Sequence, residues 1–232
     1  MDNRNVGTVS ELAEAVKCLN FGDNRPRPIF RGVSRISYSL KSKVGRLPNY
    51  SLSREESLLR QFKERCILHG SSLPLVPADD WDWLPLAQHH GLATRLLDWT
   101  KSPLAAAFFA VESTHNEEDA AIYAFNPEEI ISKEFCRKKN ISPFNLPPNY
   151  PWIVLVPAHF SPRIAAQEGV FILSRDPRAN LKAIKMVRFI IKREARATLR
   201  TELYRMGIHR ASLFPDIDNL CRHLNTYWSM TK

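Results

Sequence analysis

The segment from Leu104 to Val111 (Leu-Ala-Ala-Ala-Phe-Phe-Ala-Val) constrains the fold more than any other part of the chain. Ser102 and Pro103 come just before it, and this pair predicts a helix with serine as the N-cap and proline at the first helical position. The helix would be apolar nearly all round, a pattern typical of a helix that is buried in the core. We therefore expect this helix at the centre of the fold.

Other helices are predicted by their start and stop signals. Two capping boxes, Thr8 to Glu11 and Ser53 to Glu56, are each followed by apolar residues at helical spacing. A further helix is expected from near Asp80 until Gly91 breaks it. Helices are also expected at 194–206 and from Asp216 onward. Segments rich in β-branched and aromatic residues predict strands at 29–31, 120–125, 152–156, 170–173 and 184–192.

This order of elements indicates an α+β fold, because helices dominate the first half of the chain and strands the second. We expect one domain over residues 1–232, with a helix-rich N-terminal half packed on a mixed or antiparallel sheet. The basic and then proline-rich stretch from Lys133 to Pro151 is predicted to be a long surface loop. It is not expected to be a domain boundary, because the strands on both sides need a common sheet.

Charge and cysteine content limit the possible partners and location. The formal net charge of +9 and the pI of about 9.6 favour contact with polyanions such as nucleic acid, dinucleotides or an anionic membrane. No run is long enough to span a bilayer and the first residues are polar, so a cytoplasmic protein without membrane contact is expected. The four scattered cysteines form no CxxC pair, which argues against a zinc site.

Phe30-Arg31-Gly32 is the first candidate site, because it places an arginine and a glycine together in a predicted strand. The guanidinium offers five donors in a rigid fork that suits a phosphate or pyrophosphate. Glycine allows a ligand to approach the backbone closely. For the tripeptide taken alone, an arginine in a surface ion pair is the favoured interpretation.

The run from Gln88 to Trp99 is the second candidate, because it places many polar side chains among apolar ones. These polar residues are Gln88, His89, His90, Thr94, Arg95 and Asp98. Burying them is unfavourable unless they are paired or used. A structural Arg95–Asp98 ion pair is the simpler interpretation. The adjacent histidines point in different directions and have no carboxylate at helical spacing, so no metal is expected here.

Two further stretches hold carboxylates. Gln167, Glu168 and Gly169 lead into the strand that contains Phe171, and they are expected to form either the wall of a ligand cleft or a simple turn. Asp216 stands at a predicted helix start, where it is either an ordinary cap or a carboxylate held in a fixed position.

In this order, these pieces resemble the FRG domain family, which is named for its phenylalanine-arginine-glycine motif. The matching stretches are Phe30 to Gly32, Gln88 to Gly91, Thr94 to Thr100, Ser102 to Leu104, Gln167 to Phe171, and Leu213 to Asp218. They are distributed over nearly the whole chain.

The arrangement also resembles ADP-ribosyltransferases, which hold NAD with an arginine or histidine on an early strand and use a carboxylate on a later one. This resemblance implies that NAD is the substrate and that the core is similar to theirs. It gives Arg31, His89, Asp98 and Glu168 as catalytic candidates, with Asp98 preferred over Glu168 and Asp216. The residues implied for NAD binding are Arg31, Gly32, Gln88, His90, Thr94, Arg95, Gln167 and Phe171.

Three functions follow as hypotheses. The first is an NAD-dependent ADP-ribosyltransferase that modifies a nucleic acid or a protein acceptor, as a toxin or phage-defence effector with an antitoxin or immunity partner. The second is a non-catalytic nucleic-acid-binding module that uses the basic loop around Arg137, Lys138 and Lys139. The third is a metal-independent nuclease or hydrolase with His89 or His90 as general base.

Overall fold

A computed structural model describes residues 2–19, 27–66, 68–69, 77–113, 117–127, 130–157, 161–182 and 186–230. In this part of the chain, strands β1 to β7 span Asp2–Asn5, Ile29–Val33, Leu96–Thr100, Ala120–Phe125, Trp152–Leu155, Gly169–Ser174 and Val187–Ile191. Helices α1 to α9 span Val9–Lys17, Leu52–Cys66, Asp80–His89, Pro103–Val111, Lys133–Lys138, Pro162–Ala166, Arg196–Arg205, Arg210–Leu213 and Ile217–Met230. Short 3₁₀ turns lie at Val44–Arg46 and Arg193–Ala195.

The seven strands form one sheet in the order β1-β7-β4-β2-β3-β6-β5. β1 runs parallel to β7, whereas the other neighbouring strands are antiparallel. The prediction of an α+β fold with a mixed sheet is confirmed. β2 and β3 come from the first half of the chain but lie at the centre of the sheet, between β4 and β6 from the second half.

Helix α4 is buried as predicted, and it packs directly on β2. Ser102 caps it by accepting a hydrogen bond from the Ala105 N–H, and Pro103 is its first residue. A Cβ atom on Gly32 of β2 would lie 1.8 Å from the backbone oxygen of Ala106. Only glycine allows the helix to come this close to the strand. Helices α1 and α7 cover the other side of α4.

Two groups of helices share one face of the sheet. α1, α4 and α7 pack with residues of β2, β4 and β7, and α2 and α3 pack with residues of β3, β5 and β6. Opposed residues of antiparallel strands point to the same face. Phe30 opposes Thr100, and Asp98 opposes Phe171, so all four lie on this helix-covered face. Asp98 is exposed there, because it lies between the two helix groups.

Strand β1 was not predicted, because its sequence Asp-Asn-Arg-Asn has neither apolar residues nor alternation. Its side chains are mostly exposed, and backbone pairing with β7 holds it in the sheet. The short helices α6 and α8 were also missed, since five and four residues are too few to show a helical period.

The prediction of one long surface loop from Lys133 to Pro151 is wrong. Residues 133–138 form helix α5, with Ser132 as its N-cap, and Cys136 on this helix is buried. Phe144 and Leu146 are buried in the same apolar cluster as residues of α2 and α3. The high charge of the segment indicated a loop, but three apolar side chains, those of Cys136, Phe144 and Leu146, fix it to the core.

Several predicted boundaries move by a few residues. α2 begins at Leu52, and Ser51 rather than Ser53 accepts a hydrogen bond from a first-turn N–H, that of Arg54 at 3.3 Å. The predicted strand at 184–192 is described from Val187, and its first residues lie outside the described part of the chain. None of the described helices is both long and apolar enough to cross a membrane.

Candidate functional site

A cleft of about 430 Å³ opens where β2 and β3 separate. These two neighbouring strands share a single pair of opposed residues, Phe30 and Thr100, whereas each pairs along five residues with the strand on its other side. The cleft is lined from both strands, from the end of α3 and from the start of β6. It contains seven of the predicted site residues, namely Arg31, Gly32, Gln88, His89, Asp98, Gln167 and Phe171.

Arg31 bridges the gap between the separated strands. Its Nη1 donates a hydrogen bond to the backbone carbonyl of Asp98 at 2.5 Å, so a side chain replaces the missing strand pairing. Its Nε is buried and has no hydrogen-bond partner among the described residues. Burial lowers the pKa of Arg31, Asp98 opposes this effect and Arg46 adds to it. An arginine remains charged under such conditions, so Arg31 brings a partly unsatisfied cation to the cleft.

The Asp98 carboxylate is held by a chain of hydrogen bonds that begins at the backbone. The N–H of Leu96 donates to the Thr94 hydroxyl at 3.2 Å, and that hydroxyl donates to Oε1 of Gln88. Nε2 of Gln88 then donates to Oδ1 of Asp98 at 2.8 Å. Thr94 is 1% exposed and lies behind the cleft. It therefore orients the Gln88 amide, and Gln88 orients the carboxylate.

The charged residues of the lining are mainly cationic. Four of them carry positive charge, and Asp98 is the single carboxylate among the described lining residues. The cationic residues are Arg31, Lys43, Arg46 and Arg163. A concave surface with this excess of positive charge attracts an anionic ligand and raises its local concentration.

The two adjacent histidines have different surroundings. His89 is half-buried and lines the cleft, whereas His90 is exposed and lies outside the lining, with the two rings edge to face at 5.0 Å. Burial lowers the pKa of His89, and the neighbouring His90 and Arg163 lower it further. His89 is thus a neutral imidazole near pH 7, the form that accepts a proton.

Arg95 lies away from the cleft, and the predicted Arg95–Asp98 ion pair is wrong. Arg95 is 1% exposed and binds the buried Glu55 carboxylate through two hydrogen bonds, of 2.9 and 2.7 Å. It also donates to the backbone oxygen of Pro143 at 2.9 Å. The Tyr50 hydroxyl donates to Glu55 at 3.0 Å, and burial together with that carboxylate raises the pKa of Tyr50 to about 12. This network joins α2 to the start of β3.

Of the three candidate carboxylates, the structure brings Asp98 to the cleft and leaves the other two outside its lining. Glu168 is exposed in the turn before β6, with a φ of 45°, and its backbone oxygen accepts from the Lys101 N–H. Asp216 is exposed and caps α9 by accepting from the Asn219 N–H at 2.8 Å. Gln167 does lie at the cleft, where its amide donates to the backbone oxygen of Leu213.

The FRG domain family model matches residues 26–119. This segment of the chain is similar to an FRG domain. The match includes β2 with its Phe-Arg-Gly motif, α3, the polar run, β3 and α4. Comparison with curated proteins and with solved structures gave no match.

The matched FRG segment supplies most of the cleft but not all of it. Gln167 and Phe171, which form the third wall, lie beyond residue 119. The two strands next to β2 and β3, namely β4 and β6, also follow the matched segment. The segment therefore shares one sheet with the rest of the chain. That a single FRG domain extends over residues 1–232 stays a prediction.

Three cationic residues of the FRG cleft were not predicted as site residues. Lys43 and Arg46 lie in the polar loop that follows β2, and Arg163 lies in α6. Lys43 also donates to the backbone oxygen of Gly91 at 2.7 Å, which ties this loop to the end of α3. Two basic residues on either side of Gly45 are the available sequence signal, and it is weak because charged loops are common.

The basic stretch of α5 and the residue after it is partly neutralised. Arg137 forms salt bridges with Asp79 at 2.6 Å and with Asp82 at 2.9 Å, and Lys133 also pairs with Asp82. The same contacts hold the pKa of Asp79 below its usual value. Since these cations already bind carboxylates, the face that was expected to contact nucleic acid retains mainly Lys138 and Lys139.

Proposed function

We propose that this FRG protein is an NAD-dependent ADP-ribosyltransferase whose reaction takes place in the cleft between β2 and β3. The observation that carries the proposal is the pairing of a half-buried cation with an oriented carboxylate. Arg31 contacts the backbone of the residue whose side chain, Asp98, is held toward the cleft by Gln88. NAD needs both groups, because it has an anionic pyrophosphate and a glycosidic bond that develops positive charge on cleavage.

The cations of the lining suit the pyrophosphate. Arg31 has an unsatisfied Nε, and Arg46 is exposed and unpaired among the described residues. Arginine binds phosphate oxygens through charge-assisted hydrogen bonds of good geometry. Phe171 lies directly opposite Asp98 in the β3–β6 ladder and supplies an aromatic surface next to the carboxylate. The nicotinamide riboside is therefore proposed to bind at Asp98 and Phe171, with the pyrophosphate toward Arg31 and Arg46.

The reaction follows from these positions. The bond between the ribose C1′ and the nicotinamide nitrogen breaks, and nicotinamide leaves with the bonding electrons. The Asp98 carboxylate stabilises the oxocarbenium-like transition state by its negative charge. A nucleophile of the acceptor forms the new bond to C1′ and loses its proton to Asp98. The products are ADP-ribosylated acceptor, free nicotinamide and one proton.

The acceptor, the biological setting and the location belong to the same proposal. The net charge of +9 supports a polyanionic acceptor such as nucleic acid. A protein acceptor remains the alternative. We propose a cytoplasmic toxin or phage-defence effector, which would need an antitoxin or immunity partner to protect its own cell.

Transfer from labelled NAD tests this proposal. The purified protein is incubated with labelled NAD and with nucleic acid, with cell lysate, or with buffer alone, and both transfer and nicotinamide release are measured. Asp98→Asn keeps the size of the side chain and an oxygen for Gln88. A loss of turnover in this variant would therefore be due to the lost negative charge. Lys138→Ala, outside the cleft lining, is the control. If the wild type and Arg31→Ala show the same absence of both products on every substrate, the proposal fails.

A second candidate function rests on His89. It is a half-buried imidazole at the same cleft, and its lowered pKa leaves it without a proton near pH 7, so it can accept one. A metal-independent nuclease or hydrolase would use it to activate water. Cleavage of RNA or DNA that persists with a chelator and is lost in His89→Gln would favour this function over the first.

A further inference from the structure

A second concave surface lies next to the cleft and shares only Arg46 with the lining of the proposed NAD site. It is a groove of about 820 Å³ between two loops, one at residues 39–50 and the other at 176–179. We call it the Arg178 groove, after the basic residue at its outer edge. Three cationic side chains line it, namely those of Lys41, Arg46 and Arg178.

The two walls of the Arg178 groove are fixed to each other. A Cβ atom on Gly45 would lie 1.8 Å from the backbone oxygen of Pro177, so the loops touch through their backbones at this point. The Ser42 hydroxyl donates to the same oxygen at 3.4 Å, and the Leu181 N–H donates to the oxygen of Leu40 at 3.0 Å. The groove is thus formed before any ligand binds, which lowers the entropic penalty of binding.

The cations of the groove are available to a ligand. Among the described residues, Lys41, Arg46 and Arg178 form no salt bridge, in contrast to Arg137 with its two carboxylates. Asp176 is the carboxylate of the lining, and its Oδ1 already accepts from the Arg178 N–H at 2.9 Å. Three cations against one hydrogen-bonded carboxylate make the groove strongly attractive to an anion.

Arg46 connects the groove with the cleft, because its side chain lines both. From these observations we propose that the Arg178 groove binds the phosphodiester backbone of a nucleic-acid strand and leads it to the cleft as the acceptor. Only the role of the strand as acceptor rests on the proposed transferase function. The binding of the strand itself does not depend on that function.

A nucleic acid fits the groove better than a protein does. Stable protein interfaces have an apolar centre with few charges, whereas interfaces with nucleic acid are polar and strongly positive. The lining consists mainly of charged and polar residues, and Leu47 and Pro48 are its larger apolar members. Tyr50 adds an aromatic ring, and such rings stack on the bases of single strands.

Two variants of equal charge test the groove. Lys41→Ser with Arg178→Ser removes two cations from the groove and leaves the cleft lining unchanged. Lys138→Ser with Lys139→Ser removes two cations from the end of α5. Fluorescence anisotropy is measured with labelled single-stranded RNA and DNA of the same sequence, about 16 nucleotides long, at salt concentrations from about 50 to 200 mM.

At low salt, the groove variant should bind the strands at least about tenfold more weakly than the wild type. The control variant should bind them like the wild type. Each lost phosphate contact lowers the slope of log affinity against log salt by about 0.7 for a single strand. The slope of the groove variant should therefore be smaller by about 1.4. A difference between the RNA and DNA arms identifies which strand is preferred.

Equal weakening in the two variants would overturn the inference, since only net charge would then matter. Absence of strand binding by the wild type at about 50 mM salt would also overturn it. Nicotinamide release from NAD is measured on the same proteins with the strands, with cell lysate and with buffer alone, where water is the acceptor. If no protein releases nicotinamide but the groove variant alone loses strand binding, the transferase proposal fails and the groove stands. If nicotinamide release persists and the groove variant binds the strands like the wild type, the groove proposal fails and the transferase proposal stands.

Discussion

Arg31 Nη1 donates to the backbone carbonyl of Asp98, and this hydrogen bond joins two central strands at the point where their backbones separate. Two neighbouring strands in the middle of a sheet normally satisfy each other's backbone groups. Here one carbonyl of β3 receives a guanidinium instead, and the space that would hold further pairing becomes the cleft. The same residue, Asp98, presents its carboxylate on the helix-covered face. The separation of the strands thus produces the site.

Gly32→Ala should strongly destabilise the protein. Its added methyl group would lie 1.8 Å from the backbone oxygen of Ala106, and a backbone atom of a buried helix cannot move away easily. We expect a loss of about 3 kcal/mol or more in the free energy of unfolding, at the upper end for overpacking. Urea unfolding measures it. Gly169→Ala is the control, with no neighbour of its Cβ closer than 3.6 Å, and should change stability by less than about 1 kcal/mol.

Arg95→Met should also unfold the protein readily, because it leaves the Glu55 carboxylate buried without its cation. Breaking a buried pair from one side costs about 3–5 kcal/mol. Glu14→Ala removes a partner from the exposed Lys17–Glu14 pair and should cost less than about 1 kcal/mol. Chemical unfolding of both variants makes the comparison. Near-equal effects would contradict the structural role assigned to Arg95.

Thr94→Val tests whether the hydroxyl positions the carboxylate through Gln88. Valine keeps the shape of threonine but removes the donor to Gln88 and the acceptor for the Leu96 N–H. We expect kcat for nicotinamide release to fall about tenfold, the equivalent of roughly one hydrogen bond, with little change in KM for NAD. Thr94→Ser restores the hydroxyl and should recover kcat. An equal loss in the serine variant would point to packing instead.

The lowered pKa of His89 predicts a pH dependence of stability with a definite sign. Because burial lowers this pKa in the folded state, the unfolded chain takes up the proton first as the pH falls. The stability associated with neutral His89 is present above the ordinary imidazole pKa of about 6.5 and is lost as the pH falls through the lower folded pKa. Urea unfolding of wild type and His89→Gln over this range measures it. The variant should lose less stability on acidification.

Much of the fold could be predicted, because its signals are local. The serine-proline start and the apolar composition of α4 gave its position and its burial, and period-two or apolar segments gave most strands. β1 and α5 were not predicted, for opposite reasons. β1 is polar and depends on its partner strand, whereas the charges around α5 hid Cys136 and the apolar residues that follow it.

The site was predictable only in part, because its geometry depends on long-range contacts. The residues around Arg31 and Asp98 were identified as one cleft, and the structure brings them together. Which polar residue of the run faces the cleft was not predictable. Arg95 precedes β3 and Asp98 lies within it, and Glu55, the partner of Arg95, is 40 residues away in the chain. The cations Lys43 and Arg46 depend on how a loop folds back over β3.

The proposed function requires the cleft to bind NAD through its cations and to use Asp98 in the transition state. Isothermal titration calorimetry with NAD tests it most directly, on the wild type, Arg31→Lys, Arg46→Ser and Asp98→Asn, with melting temperatures as a check on folding. Arg46 is exposed, so its variant separates binding from folding.

We predict that the wild type binds NAD with a Kd below about 1 mM and that both arginine variants bind it about tenfold more weakly. Asp98→Asn should bind NAD within about threefold of the wild type while losing nicotinamide release, since its carboxylate acts on the transition state. A wild type that shows no NAD binding at about 1 mM, or folded arginine variants that bind NAD like the wild type, would contradict the claim.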